Sequence, residues 1–144
     1  MPASFSILVT GSPTTSQAHI SALRFIAALV KSGHQVANVF FYQDAVHVAN
    51  KFSAKPSDEL QLTTKWVELS KQHNFELQVC VAASNRRAII SAEEAENNGF
   101  EFVTLNNGFT SLGLGQLAVA FSKVSSLSNK SDRDEISARF IHFK

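Results

Sequence analysis

The residues best suited to chemistry in this 144-residue chain surround its single cysteine. Cys80 is followed by a run of small residues and then by two arginines, Arg86 and Arg87. A cysteine thiolate is a nucleophile, and nearby positive charge favours the thiolate over the thiol. The spacing therefore indicates a reactive cysteine with two guanidinium groups for electrostatic support or partner docking. The alternative is a small buried residue at the end of a strand, followed by a solvated pair of arginines.

Other catalytic and binding motifs are weak. Residues 11–17 form a turn after an apolar run, but they contain one glycine and match neither GxGxxG nor GxxxxGK[ST]. His47 has no second His, Cys or carboxylate at metal-ligand spacing, so we expect neither a metal nor a cofactor. The five histidines leave open a Cys–His pair that forms only in space.

The cysteine ends a predicted strand. From Phe75 to Val81, apolar residues alternate with Glu76, Gln78 and Cys80, which is the period of a β-strand. In an open parallel sheet, functional sites lie at the carboxyl ends of the strands. We therefore expect Cys80 at that edge, partly exposed, beside a turn with free backbone N–H groups.

The rest of the chain alternates strands and helices. Further strands are predicted at residues 5–10, 36–41, 100–105 and 139–143, and helices at residues 15–31, 57–74, 91–99 and 114–124. Residues 42–50 are predicted as a short helix or turn, and residues 125–137 as a mobile polar loop. This alternation predicts a single α/β domain over residues 1–144, with a mostly parallel sheet of about five strands. The strand order stays open.

The composition indicates an assembly that does not bind nucleic acid directly. Charged residues make up 17% of the chain, below the roughly 25% typical of soluble domains, and there are 12 phenylalanines. We expect some of these to lie in a subunit interface, with Phe40, Phe41, Phe52 and Phe109 as candidates. A formal net charge of +1 disfavours a nucleic-acid surface.

The sequence also predicts a compartment. A single cysteine forbids an internal disulfide, which fits a reducing compartment. The apolar run near the N-terminus is too short for a signal peptide, and no segment approaches the ~20 apolar residues needed to span a bilayer. We expect a soluble cytoplasmic protein without membrane contact.

Several short motifs follow one another along the chain in a specific order. They are Phe40-Phe41-Tyr42 with Ala49-Asn50, Val79-Cys80-Val81-Ala82-Ala83, Arg86-Arg87, Gly108-Phe109 and Gly113-Leu114-Gly115-Gln116-Leu117. Together they resemble the DsrE-like sulfurtransferases, and among them the TusD subunits of the bacterial sulfur relay. The resemblance runs from about Phe5 to Phe121, and its order and spacing make it specific. Ala45 and Ala88 depart from it, since they stand where family members commonly carry glycine, and the first turn lacks a second glycine.

The resemblance implies a flavodoxin-like, three-layer α/β/α sandwich with sulfurtransferase activity. The family's active cysteine falls on Cys80, which would accept sulfane sulfur as a persulfide from an upstream, TusA-like carrier. It would pass the sulfur to a downstream, TusE-like acceptor for 2-thiolation of the tRNA wobble uridine. The alternative is a non-catalytic scaffold or interaction subunit of a DsrE-like oligomer, with a structural cysteine.

The resemblance also implies partners. The chain would assemble with related TusB- and TusC-like subunits in a hetero-oligomer, or with copies of itself. The tRNA would be contacted by a downstream enzyme and not by this chain.

Overall fold

The computed structural model describes residues 2–119 and 137–144, and the strands in this part of the chain form one parallel sheet. The strands are β1 (Ala3–Val9), β2 (Gln35–Phe41), β3 (Glu76–Cys80), β4 (Phe109–Leu112) and β5 (Ser137–Phe143). Their order in the sheet is β4-β3-β2-β1-β5, and each neighbouring pair is parallel. The predicted α/β fold with a parallel sheet of about five strands is confirmed.

Helices connect these strands. They are α1 (Ala18–Lys31), a 3-10 helix (Gln43–Ala49), α2 (Leu62–His73), α3 (Val81–Arg86) and α4 (Ala92–Asn98), and α5 begins at residue 114 and is described to residue 119. Asn74 ends α2 in the left-handed conformation (φ 55°), and Gly99 ends α4 in the same way (φ 69°). Ser91 caps α4 by accepting the Glu94 N–H, as the sequence predicts. No helix in residues 2–119 or 137–144 is long and apolar enough to cross a membrane.

The core lies between the sheet and helices α1 and α2. Phe41 at the end of β2 is its centre, with ring centroids 5.1 Å from Trp66 of α2 and 5.6 Å from Phe109 of β4. Leu77 and Val79 of β3 are buried in the same cluster. Because side chains alternate along a strand, Gln78 and Cys80 point to the opposite face of the sheet.

That opposite face carries a row of hydrogen-bonded polar side chains. Ser6 Oγ donates to Asn38 Oδ1 (2.8 Å), and Asn38 Nδ2 donates to Gln78 Oε1 (2.9 Å). Gln78 Nε2 then donates to Glu76 Oε2 (2.8 Å). The row joins β1, β2 and β3, so a slip of register in these strands would break it.

The fourth strand lies later than predicted. Residues 100–105 are irregular, and their one β contact is an antiparallel bridge between Leu105 and Asn50. The N–H groups of Thr104 and Leu105 both donate to the Ile90 carbonyl, so this segment is held by the turn after α3. The alternating pattern from Phe100 to Leu105 therefore reflects a packed loop, and β4 begins only at Phe109.

The start of α2 is also corrected. The sequence predicts a helix from residue 57, but α2 begins at Leu62. The Gln61 side chain donates to the carbonyls of Lys55, Pro56 and Glu59, which folds the preceding residues into a separate turn. The Gln61 amide thus supplies these backbone carbonyls with a donor in place of the N–H groups of a continuous helix.

Three of the four phenylalanines predicted as interface candidates are core residues. Phe40 and Phe41 are fully buried and Phe109 is 5% exposed, because all three lie on inner or helix-covered parts of the sheet. Phe52 is 67% exposed, and Phe100 and Phe102, which the sequence did not single out, are 54% and 70% exposed. The predicted polar loop, apart from Ser137, and the predicted helical residues beyond 119 lie outside the described residues.

Candidate functional site

Cys80 is the last residue of β3 and the residue directly before α3. Its backbone is extended (φ −69°, ψ 122°), as at the cap position of a helix. The strand thus ends at the cysteine, as predicted. The expected partial exposure is wrong, because Cys80 is only 1% exposed.

Helix α3 replaces the predicted turn. Ala82, Ala83 and Ser84 are small, which lets α3 pack against β3 and the 3-10 helix, with Ala83 and Ser84 buried. The first N–H groups of any α-helix lack intrahelical partners and carry partial positive charge. At the start of α3 these groups follow directly after Cys80 in the chain.

The structure gives the two arginines different surroundings. Arg87 donates from Nε to Asp44 Oδ1 (2.9 Å) and from Nη1 to the Ala83 carbonyl (3.0 Å). Its side chain is 25% exposed. Arg86 is exposed. Arg87 therefore ties the end of α3 to the 3-10 helix, whereas Arg86 is accessible to a partner.

Asp44 is a site residue that the sequence analysis missed. It lies just after β2, and Arg87 lies just after β3 and α3. Because β2 and β3 are neighbours in the sheet, segments that follow them meet at the same edge. Asp44 is recognisable from the sequence only when the strand order is known.

Two residues beside this ion pair have unfavourable backbone conformations. Gln43, next to Asp44, has φ 52°, and Ala88, next to Arg87, has φ 58°. A non-glycine residue in this left-handed region costs roughly 1–2 kcal/mol. Thr104 braces the second position, since its Oγ1 donates to the Ala88 carbonyl (2.6 Å) and accepts the Ile90 N–H (2.7 Å).

Helix α3 also buries polar atoms without partners. In the described part of the chain, Ser84 Oγ and Asn85 Oδ1 are buried and make no hydrogen bond. The other amide atom of Asn85, Nδ2, donates to Glu94 Oε2 of α4 (2.9 Å). Each buried unpaired polar atom costs roughly 1–3 kcal/mol, so the packing of α3 includes an unfavourable contribution to the free energy of folding.

Comparison with known proteins identifies the family to which this site belongs. The sequence profile of the DsrE/DsrF-like family matches residues 3–127. The chain belongs to the DsrE/DsrF-like family. The resemblance found in the sequence motifs is thereby confirmed.

Curated relatives support the same assignment. The chain is 41% identical over 116 residues to the sulfurtransferase TusD homolog of Vibrio vulnificus (strain CMCP6), covering 81% of this chain and 88% of the relative. It is 44% identical over 116 residues to sulfurtransferase TusD of Salmonella newport (strain SL254), covering 81% and 91% of the two chains. These relatives identify the chain as a sulfurtransferase.

A solved structure supports the fold. The crystal structure of the ychN protein from E. coli superposes with a TM-score of 0.66 at 19% identity, covering 99% of this chain and 100% of that one. This likeness in fold agrees with the flavodoxin-like layout implied by the sequence resemblance.

His19 is a buried histidine of this chain, and its hydrogen bonds exclude it as a general base. Trp66 Nε1–H donates to His19 Nδ1 (3.1 Å), so Nε2 carries the proton and donates to the Gly11 carbonyl (2.9 Å). Burial is the main cause that lowers the His19 pKa to about 4. His19 stacks on Phe41, on the face of the sheet opposite to Cys80, and therefore has a structural role.

An open cleft of about 450 Å³ lies between the turn that follows β1 and the 3-10 helix that follows β2. Asp44 belongs both to this cleft and to the ion pair with Arg87. Within the described residues, no group of three or more His, Cys, Asp or Glu side chains is arranged to hold a metal ion. The cleft lining is Ser12, Pro13, Thr14, Thr15, Asp44, His47, Asn50 and Ser53.

Proposed function

We propose that this sulfurtransferase is a subunit of a sulfur relay in which Cys80 carries a persulfide. Cys80 receives sulfane sulfur from an upstream TusA-like carrier and passes it to a downstream TusE-like acceptor. The relay ends in 2-thiolation of the tRNA wobble uridine. The observation that carries the proposal is the position of the single cysteine, at the carboxyl end of β3 in a chain whose relatives are TusD sulfurtransferases.

The transfer is balanced without a cofactor. The Cys80 thiolate attacks the terminal sulfur of the donor persulfide and forms a new S–S bond. The S–S bond of the donor breaks, and its electron pair leaves with the donor sulfur as a thiolate. The second transfer repeats this step with the acceptor thiolate as nucleophile, so Cys80 returns to its starting state and there is no net oxidation.

Two features support an anionic sulfur at Cys80. The N–H groups at the start of α3 follow directly after it in the chain, and Arg86 and Arg87 add positive charge at the other end of the same short helix. We assign Arg86 to electrostatic support or partner docking because its side chain is exposed. We assign Arg87 the same kind of support, acting through its contact with Ala83.

The proposal includes partners and a compartment. We expect TusB- and TusC-like subunits around this chain, or copies of the chain itself, and no direct contact with tRNA. We place the relay in the cytoplasm, where a single free thiol stays reduced.

Sulfur loading tests the proposal directly. The 144-residue chain is incubated with a TusA-like carrier that a cysteine desulfurase has loaded, and its intact mass is measured. We expect the mass of one sulfur atom to be added, removable by dithiothreitol, and Cys80→Ser to gain nothing. In a strain lacking the chain's gene, Cys80→Ser should leave the wobble uridine unthiolated. Loading of Cys80→Ser protein, or full restoration of the thiolated uridine by it, contradicts the proposal.

A second function, a non-catalytic scaffold subunit, is favoured by one observation, the 1% exposure of Cys80. A structural cysteine stays inaccessible to reagents in the native protein, whereas the thiol of a sulfur carrier must become accessible to its partners. If wild-type protein reacts with a small alkylating reagent only as fast as it unfolds, and gains no sulfur from the carrier, the scaffold function holds.

A further inference from the structure

The buried thiol needs a route to its partner, provided that the proposed sulfur relay is right. Cys80 is 1% exposed, so a carrier persulfide cannot reach the sulfur in this conformation. We propose that α3 is a movable cover over Cys80 and that the Arg87–Asp44 ion pair is the latch that holds it closed. When the latch opens, α3 lifts and Cys80 becomes reactive.

Helix α3 is held by few interactions. It has six residues, about 1.7 turns, whereas isolated helices shorter than ~12 residues are marginal in water. Its described side-chain ties to other elements are Arg87 to Asp44 in the 3-10 helix and Asn85 to Glu94 in α4. Loss of one tie therefore removes one of the two side-chain hydrogen bonds that supplement the packing of α3 against β3 and the 3-10 helix.

The closed state also carries costs that opening relieves. Ser84 Oγ and Asn85 Oδ1 are buried without a partner and would be hydrated if α3 lifted. The residues next to the two latch partners, Gln43 and Ala88, hold left-handed conformations that are unfavourable for their types. The two unpaired polar atoms of α3 thus bring the open state closer in free energy to the closed one.

The rate of Cys80 alkylation in the native 144-residue chain tests the latch, and needs no sulfur donor. We expect Asp44→Ala to raise the rate by about fivefold, the upper range for an ion pair of this exposure. The matched control is Glu68→Ala, which breaks an exposed ion pair with Lys65 on α2 (3.7 Å) and should leave the rate unchanged.

A second variant should shift the rate in the opposite direction. Ser84→Ala removes a buried hydroxyl that has no partner in the closed state, so it should favour closure and slow alkylation by at least about fivefold. An increase with Asp44→Ala and a decrease with Ser84→Ala are the opposite shifts that the latch predicts, and the urea dependence separates them from a change in global stability.

Urea dependence distinguishes local opening from global unfolding. Lifting of α3 exposes little surface, so alkylation of the wild type at low urea should rise much less steeply than the equilibrium for unfolding. The latch is wrong if wild-type alkylation follows global unfolding, if Asp44→Ala leaves the rate unchanged, or if Glu68→Ala changes it equally. If these alkylation results contradict the latch but Cys80 gains sulfur from the carrier, only the latch proposal is wrong. If the alkylation rates shift as expected but Cys80 gains no sulfur, only the relay proposal is wrong.

Discussion

At the scale of single residues, His19 shows how burial sets the state of a side chain. Its ring is fully buried, donates to the Gly11 carbonyl and accepts from Trp66. Both nitrogens are thus satisfied only in one neutral tautomer. Protonation would place a second hydrogen opposite the Trp66 N–H, in a site with no carboxylate to balance the charge among the hydrogen-bond partners described.

The first prediction concerns how the stability of the folded chain depends on pH. The folded state keeps His19 neutral down to about pH 4, whereas an unfolded histidine takes up its proton near pH 6.5. Between these values protons bind the unfolded state preferentially, so the stability from neutral His19 is lost as pH falls from 6.5 to 4. At ~1.4 kcal/mol per pH unit of separation, the loss is about 3 kcal/mol.

Urea denaturation at several pH values between 4 and 7 measures this loss. His19→Gln should be less stable at neutral pH but should lack this part of the pH dependence. The exposed His47, changed to Gln, is the matched control and should keep it. Equal pH profiles for the two variants would show that His19 is not the titrating group.

At the scale of elements, the turn after α3 depends on one hydroxyl. Thr104 Oγ1 both donates to the Ala88 carbonyl and accepts the Ile90 N–H, so the irregular segment 100–105 acts as a brace for the cysteine-bearing region. The same segment accepts the Lys51 N–H at the Thr104 carbonyl (2.8 Å). It therefore joins the chain after α3 to the chain after the 3-10 helix.

The second prediction tests this brace. Thr104→Val keeps the shape of the side chain but removes both hydrogen bonds and leaves the Ile90 N–H unpaired. We expect a loss of about 1–3 kcal/mol in the free energy of unfolding. Thr64→Val, at an exposed position of α2, should change stability by less than about 0.5 kcal/mol. If both variants unfold at the same urea concentration, Thr104 does not brace the turn.

At the scale of the whole molecule, the exposed phenylalanines bear on assembly. Phe52, Phe100 and Phe102 are each more than half exposed, and Lys51 Nζ lies 5.1 Å from the Phe52 ring centroid. The Asn50–Leu105 bridge brings the segments that carry them side by side. Oligomer formation stays a prediction. Phe52 remains a candidate contact, and Phe100 and Phe102 replace Phe40, Phe41 and Phe109.

The third prediction is that Phe102→Glu weakens association. A carboxylate at a 70% exposed position costs the folded chain little, but it must be desolvated in an apolar interface. Sedimentation velocity at micromolar concentration should show an oligomer for the wild type and a shift toward monomer for this variant. Gln72→Glu, which adds the same charge at an exposed position of α2, should sediment as the wild type. A monomeric wild type would refute the prediction.

The sequence by itself determined the features that depend on local pattern. Period-two alternation predicted the strand that ends at Cys80, and Ser91 with Glu94 predicted the start of α4. The order and spacing of short motifs identified the family that the profile match confirms. These signals are local because turn, cap and alternation preferences act over a few residues.

Only the tertiary structure decided the features that depend on which segments meet. The strand order brings Asp44 to Arg87, and neither residue's neighbours in sequence indicate this pair. Residues 100–105 alternate like a strand, yet pairing with β3 goes to Phe109–Leu112, because Thr104 and Leu105 are already bonded to Ile90. The burial of Cys80, which is 1% exposed, is likewise a result of tertiary packing that no local pattern encodes.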